Sequence, residues 1–236
     1  METEDTKLGF DKHTVLIFLV ILLILVNFVS TSLVIFFVYR QDNKILRLVE
    51  DAADGELSRF VNLVLPKEVE KQGKEDAKIR IVEFADFQCP FCGKFHEAVY
   101  VPLKTEYIDT GKAEFAFVNF AFLGEESSWA AEATLCAKDE GKYWEMHDKV
   151  FASQNGENEG AFSVDNLKRL AGEIGLNVDE FTKCLDSHVY RPIVTDQAAY
   201  AESLGVNSTP TVYINGYKYS GDNSFPSFKT ELEKYE

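Results

Sequence analysis

From Thr14 to Tyr39 the chain runs almost without charge, broken only by polar Asn27, Ser30, Thr31 and Ser32. About 20 apolar residues suffice to cross a bilayer as a helix, so this run predicts a membrane anchor over 14–39 behind a short tail at 1–13. A cleavable leader has a shorter apolar part, whereas here the run resumes at Leu33 after the small residues. Between Lys44 and Leu65 the apolar residues Ile45, Leu46, Leu48, Val49, Ala52, Ala53, Leu57, Phe60, Val61 and Val64 recur at helical spacing, and Pro66 follows. That pattern predicts an amphipathic stalk helix. The charged stretch 67–78, with Gly73 inside it, reads as a linker. Stalk and linker therefore occupy 40–72 and a globular domain fills 73–236.

Within that domain Ile79, Ile81, Val82 and Phe84 predict a buried strand over 79–85, a helix from about Phe91 to Lys104, and a second strand over 113–122. From 125 to 204 the apolar positions keep a helical period through Trp129, Leu135, Trp144, Val150, Leu167, Leu170, Phe181 and Leu185. Gly141, Gly160 and Gly175 divide it into several helices. Thr211–Ile214 then reads as a strand, Asn215-Gly216 as a hairpin turn, 217–220 as its partner, and 224–235 as a last helix. The order is strand-helix-strand, a helical block, then strand-strand-helix: an α/β domain with a helical insertion. Trp129, Tyr143, Trp144 and Phe151, with Met146 and His147, are expected to be core packing.

At 236 residues and 46% hydrophobic content, the chain supplies one domain with an appendage rather than two full domains. Its 24 Lys and Arg against 39 Asp and Glu leave a net charge of -15, which repels phosphate backbones and argues against nucleic-acid binding. No phosphate-cradling glycine loop or serine-based triad is present.

The 4 cysteines are unequally spaced. Cys89-Pro90-Phe91-Cys92 is a CxxC, while Cys136 and Cys184 stand far apart, a pattern of one reactive pair and one long-range bridge. Two buried free thiols are the alternative for the distant pair. The CxxC sits where a strand gives way to a helix, so unpaired amides and the helix dipole stabilise a thiolate on Cys89. Cys89 is then the nucleophile and Cys92 the resolving thiol. Half a zinc site is the competing reading, but no second CxxC or paired histidines supply the other ligands; a purely structural bridge is the other.

Glu83-Phe84-Ala85-Asp86-Phe87-Gln88-Cys89-Pro90-Phe91-Cys92, a helical insertion, and Gly205-Val206-Asn207-Ser208-Thr209-Pro210-Thr211 together resemble the DsbA-type thiol–disulfide oxidoreductases of the thioredoxin superfamily. The resemblance runs from about Gly73 to the C-terminal end. It implies a thioredoxin-like fold and thiol–disulfide exchange at Cys89 and Cys92. Thr209-Pro210 matches the family's cis-proline loop, an X-Pro bond being the kind in which cis is cheap; with Pro90 and Phe91 it is expected to face the substrate chain. Glu83 matches a buried acid that moves protons, the alternative being a solvated edge residue. His96, one helical turn beyond Cys92, is expected to be a surface or packing residue. The resemblance also implies an additional bridge in the insertion, Cys136 to Cys184.

One departure is Phe91, which stands where strong oxidants of this family often carry histidine and offers the thiolate neither charge nor donor. The expected activity is a dithiol oxidase acting on exported proteins with free thiols. A membrane quinone-linked partner would re-oxidise it, and no cofactor or metal is required. The same fold also supports a reductase or isomerase, and a tethered peptide-binding chaperone is a third reading. The expected state is a monomer in the cell membrane with one span and the catalytic domain outside the cytosol. Lys7 and Lys12 on one flank against Arg40, Lys44 and Arg47 on the other lean toward the opposite orientation; the need for an oxidising compartment outweighs that count.

Overall fold

The computed structural model describes residues 60–66 and 68–236. The expected anchor at 14–39 and most of the stalk lie outside the described residues; no helix among those described is long and apolar enough to cross a membrane.

Five strands form one sheet in the order β1-β3-β2-β4-β5, with β1 at Glu70–Gly73, β2 at Ile79–Ala85, β3 at Ala113–Asn119, β4 at Thr211–Ile214 and β5 at Tyr217–Lys218. β2 and β3 are parallel, in register from Ile79 opposite Ala113 to Ala85 opposite Asn119. β1 lies antiparallel to β3, and β4 antiparallel to β2. Asn215 and Gly216, both at positive φ, turn β4 into β5. The central strands are nearly all apolar because both faces of a parallel pair are covered.

Strand parity divides the core in two. Ile79, Ile81, Ala85, Phe115, Phe117, Val212 and Ile214 face one cluster, which also holds both CxxC cysteines. Val82, Phe84, Ala116, Val118 and Tyr213 face the other.

The β2–β3 crossover is helix α1. It begins at Pro90–Phe95 and continues without a break through a π turn at His96–Tyr100, α-helical Val101–Leu103 and a second π turn at Lys104–Ile108. Five helices follow: α2 Glu125–Lys138, α3 Tyr143–Phe151, α4 Val164–Glu173, α5 Val178–Ser187 and α6 Arg191–Ser203. The Asn177 side chain caps α5 by accepting from the amides of Asp179 and Glu180. α6, with Leu204 just beyond its end, covers the second core through Ala198, Tyr200 and Ala201. The closing helix, α7 at Phe225–Leu232, brings Phe228 edge-on against Phe95 of α1. Cys136 of α2 and Cys184 of α5 are joined by a disulfide that closes a sequence separation of 48.

Two expectations need correction. The stretch 67–78 is not all linker: Glu70–Gly73 adds β1 to the sheet, half its side chains facing outward. The expected helix over 44–65 does not hold for its described end, because 60–66 is not helical. Phe60 bridges to Tyr217, the Val61 amide donates to the Gly216 carbonyl at 2.7 Å, and Val61, Leu63 and Leu65 alternate onto the second core. A Cβ on Gly216 would come within 2.7 Å of both Phe60 and the Val61 carbonyl, so that close approach requires glycine.

Candidate active site

β2 ends at Ala85, and Asp86 turns the chain into α1. Its carbonyl accepts from the Cys89 amide at 3.0 Å and its Oδ1 from the Gln88 amide at 2.8 Å. Cys89 takes the N-cap position in extended conformation (φ -68, ψ 119) with no side-chain cap bond. The first-turn amides of α1 therefore keep their donors for the sulfur itself. Pro90 follows at N1, where its missing N–H costs nothing and its fixed φ suits the helix. Cys89 is 6% exposed, whereas Cys92, one turn in, is sealed off completely. Both are free thiols.

The Thr209-Pro210 peptide bond is cis, and the Cys89 thiol donates to the Thr209 carbonyl at 3.4 Å. Thr209 and Pro210 thus lie against Cys89 although 120 positions separate Thr209 from it. Phe91 projects outward, 60% exposed, with the Lys94 ammonium 5.5 Å from its ring centroid.

The Cys92 thiol hydrogen bond brings the Cys89 thiol down to about 6 against the opposing effect of burial, helped by the Thr209 hydroxyl and the amides of Cys92 and Phe91. In the dithiol that hydroxyl is buried without a hydrogen-bond partner among the described residues, so its proton is available to a thiolate on Cys89. The low value therefore arises from backbone, Thr209 and the second thiol, with no contribution from the Phe91 side chain. Burial first, then the bond given to Cys89 and the nearby Glu83 charge, push Cys92 far above the ordinary thiol range. Glu83 is 2% exposed, and strand parity puts it on the face shared with the cysteines. Burial, reinforced by charge on Cys89, pushes its carboxyl up to about 8. Near neutrality the site thus holds one thiolate at its slightly accessible outer position, with a thiol and a neutral acid beneath it.

A polar network not anticipated from the sequence frames this turn. Asp86 Oδ1 accepts from the Ser127 hydroxyl at 2.6 Å, and its Oδ2 from the Phe122 and Leu123 amides at 2.9 and 3.0 Å. Gln88 Oε1 accepts from the Asn158 amide at 2.6 Å, while Gln88 Nε2 donates to the Ser127 hydroxyl at 2.9 Å. Gln154 Nε2 donates to the carbonyls of Phe87 at 2.6 Å and Cys89 at 3.1 Å. These partners lie 36 to 70 positions from the residues they bond, in the helical insertion or the loop leading to it. A sequence signal existed only for Asp86 and Gln88, which stand inside the motif.

His96 is a packing residue: its ring stacks on Tyr100 and Phe151, and Nε2 lies 3.0 Å from Asp148 Oδ1. The same oxygen lies 2.8 Å from Nδ1 of His147, whose burial lowers its pKa to about 4. His96, His147 and Asp148 bring potential ligand atoms within 4.8 Å of one another, the one such metal-ligand cluster among the described residues. The single carboxylate oxygen already serves both rings, which accounts for the cluster without an ion.

Comparison with known proteins agrees with this geometry. A thioredoxin family model matches residues 67–234. The chain is 34% identical over 166 residues to the probable disulfide bond formation protein D of Bacillus anthracis, covering 69% of this chain and 76% of that one. It is 27% identical over 165 residues to disulfide bond formation protein D of Bacillus subtilis, covering 69% of this chain and 74% of the relative. The crystal structure of oxidised BdbD from Bacillus subtilis superposes with a TM-score of 0.65 at 27% identity, covering 70% of this chain and 91% of that chain. Coming from sequence, fold and site alike, the agreement places the chain in the thioredoxin family, as a thiol–disulfide oxidoreductase of the DsbA type.

Proposed function

We propose that the Cys89–Cys92 couple works as a dithiol oxidase, passing its disulfide to exported proteins outside the cytosol while the 14–39 span holds it at the membrane. The observation that carries the direction is the asymmetry of the two thiols: Cys89 is brought down to about 6 while Cys92 is pushed far up. A thiolate stabilised in the reduced form makes the disulfide form a stronger oxidant.

In the first step a substrate thiolate attacks the Cys89 sulfur. The Cys89–Cys92 bond breaks, a mixed disulfide forms on Cys89, and the electron pair leaves on Cys92. Glu83, neutral near pH 7, lies where it can give that sulfur a proton and regain one from solvent. The second substrate thiolate then attacks the substrate sulfur of the mixed disulfide, and Cys89 departs as a stable thiolate. Two electrons pass from the substrate dithiol to the couple, leaving Cys92 as a thiol. Thr209, Pro210, Pro90 and Phe91 form the surface on which the substrate chain rests. Return to the disulfide requires an acceptor for those two electrons, for which a membrane quinone-linked partner is suited.

Equilibration with glutathione buffers tests the direction. The oxidase reading expects a potential nearer the about -120 mV of DsbA than the about -270 mV of thioredoxin. A value at the thioredoxin end would overturn it in favour of a reductase.

A further inference from the structure

Gln154 stands outside every motif that led to the site. It lies three residues beyond α3, its amide donating to the Phe151 carbonyl at 3.3 Å. Its Nε2 is held between two carbonyls of the active-site turn, Phe87 at 2.6 Å and Cys89 at 3.1 Å. Two acceptors fix the orientation of the amide, since only the NH₂ end has two protons to give. Its Oε1 occupies space that a side chain would need at the first residue after the CxxC: a Cβ on Gly93 would lie 2.1 Å from that oxygen. The Cys89 carbonyl is also the acceptor for the Gly93 amide at 3.1 Å, the bond that opens α1. Gln154 therefore joins Phe87, two residues ahead of the CxxC, the first cysteine and the glycine behind the second.

We propose that Gln154, received by the notch at Gly93, is a positioning residue for thiol–disulfide exchange, orienting the Phe87–Cys89 carbonyls so that the first-turn amides of α1 stay aimed at the Cys89 sulfur. The proposal rests on Cys89 being the attacking and leaving sulfur. A carbonyl dipole swung toward a thiolate opposes its charge, while an amide held toward it supports that charge. Saturating both carbonyls with one rigidly placed NH₂ group keeps the former away and the latter in place. The insertion thereby acts on the chemistry through a side chain that need not touch the substrate.

Gln154→Met keeps the length and loses both donors. Titration of the reduced full-length protein by thiolate absorbance is expected to show the Cys89 midpoint raised by about one unit in this variant, with reduction of the disulfide by glutathione about tenfold less favourable. Gly93→Ala displaces Gln154 from the other side and should shift both readouts the same way. The double variant should add little to either single change, because both break one contact. A variant that lowers thermal stability but leaves midpoint and glutathione equilibrium at wild-type values would reduce Gln154 to packing and overturn the proposal; additive shifts in the double variant would do the same. A wild-type Cys89 midpoint near about 8.5 would instead overturn the reading of Cys89 itself, so the two failures are distinguishable.

Discussion

Glu83 sits beneath the cysteines because residues 79, 81, 83 and 85 share one face of β2, and that face is the one α1 covers. Its carboxyl, raised to about 8 from 4.5, stays protonated in the native state where the unfolded chain has already ionised. Stability from this group is complete below about pH 4.5 and drains away as pH rises toward 8, at about 1.4 kcal/mol per pH unit. Glu83→Gln is therefore expected to raise the unfolding midpoint at pH 8 far more than at pH 5, while slowing exchange; equal gains at both would contradict the burial account. The Cys89 linkage has the opposite sign. With its thiol lowered to about 6, the reduced form gains stability over the oxidised form as pH climbs from about 6 to 8.5, by at most about 3 kcal/mol. That advantage is lost as pH falls through 6, and denaturant titrations of both redox forms across this window check it. Cys89, Cys92, Glu83 and Thr209-Pro210 were legible because each depends on short spacing, strand parity or a local motif. Gln154 and Asp148 were not: a polar residue in a loop or on a helix reads as solvated until the chain brings its partner from 67 or 52 positions away.

Among the elements, the central strands and the helical block stand out in the sequence because their apolar periods are strong. β1 did not, since Glu70-Lys71-Gln72-Gly73 is a polar edge strand with only alternate residues turned inward, and such edges resemble loops. Phe60, Val61 and Val64 fit a helical period, while Val61, Leu63 and Leu65 fit a period of two equally well. The contact with Tyr217 and Gly216 decides between them. Within the insertion, the Cys136–Cys184 bridge ties α2 to α5 across 48 positions. Replacing both cysteines with alanine should cost about 4 kcal/mol in the chain-entropy model, read as a lower denaturant midpoint with the Cys89 titration unchanged. The α1–α3 contact carries its own pH signature. His147, buried and lowered to about 4, favours the native state above about pH 6.5, and that contribution is lost as pH falls toward 4. His147→Phe is expected to flatten the stability profile over this interval relative to wild type.

For the molecule as a whole, the helical insertion is more than an addition to a redox fold. Its α2, the loop before it and the segment after α3 supply the groups that hold Asp86, Gln88 and the Cys89 carbonyl, so the active-site turn is set from outside the sheet that presents it. The proposed placement outside the cytosol has a direct check: after mild reduction, a membrane-impermeant thiol reagent should modify Cys89 in intact cells, and labelling that appears only once cells are opened would put the domain inside. The placement, the direction of electron flow and the role given to Gln154 all depend on how readily one sulfur gives up its proton. Thiolate absorbance of the reduced protein, followed across pH, measures this most directly. A midpoint at about 6 for Cys89, with Cys92 silent through the neutral range, is the expected result; ionisation at the free-thiol value of about 8.5 would contradict the account.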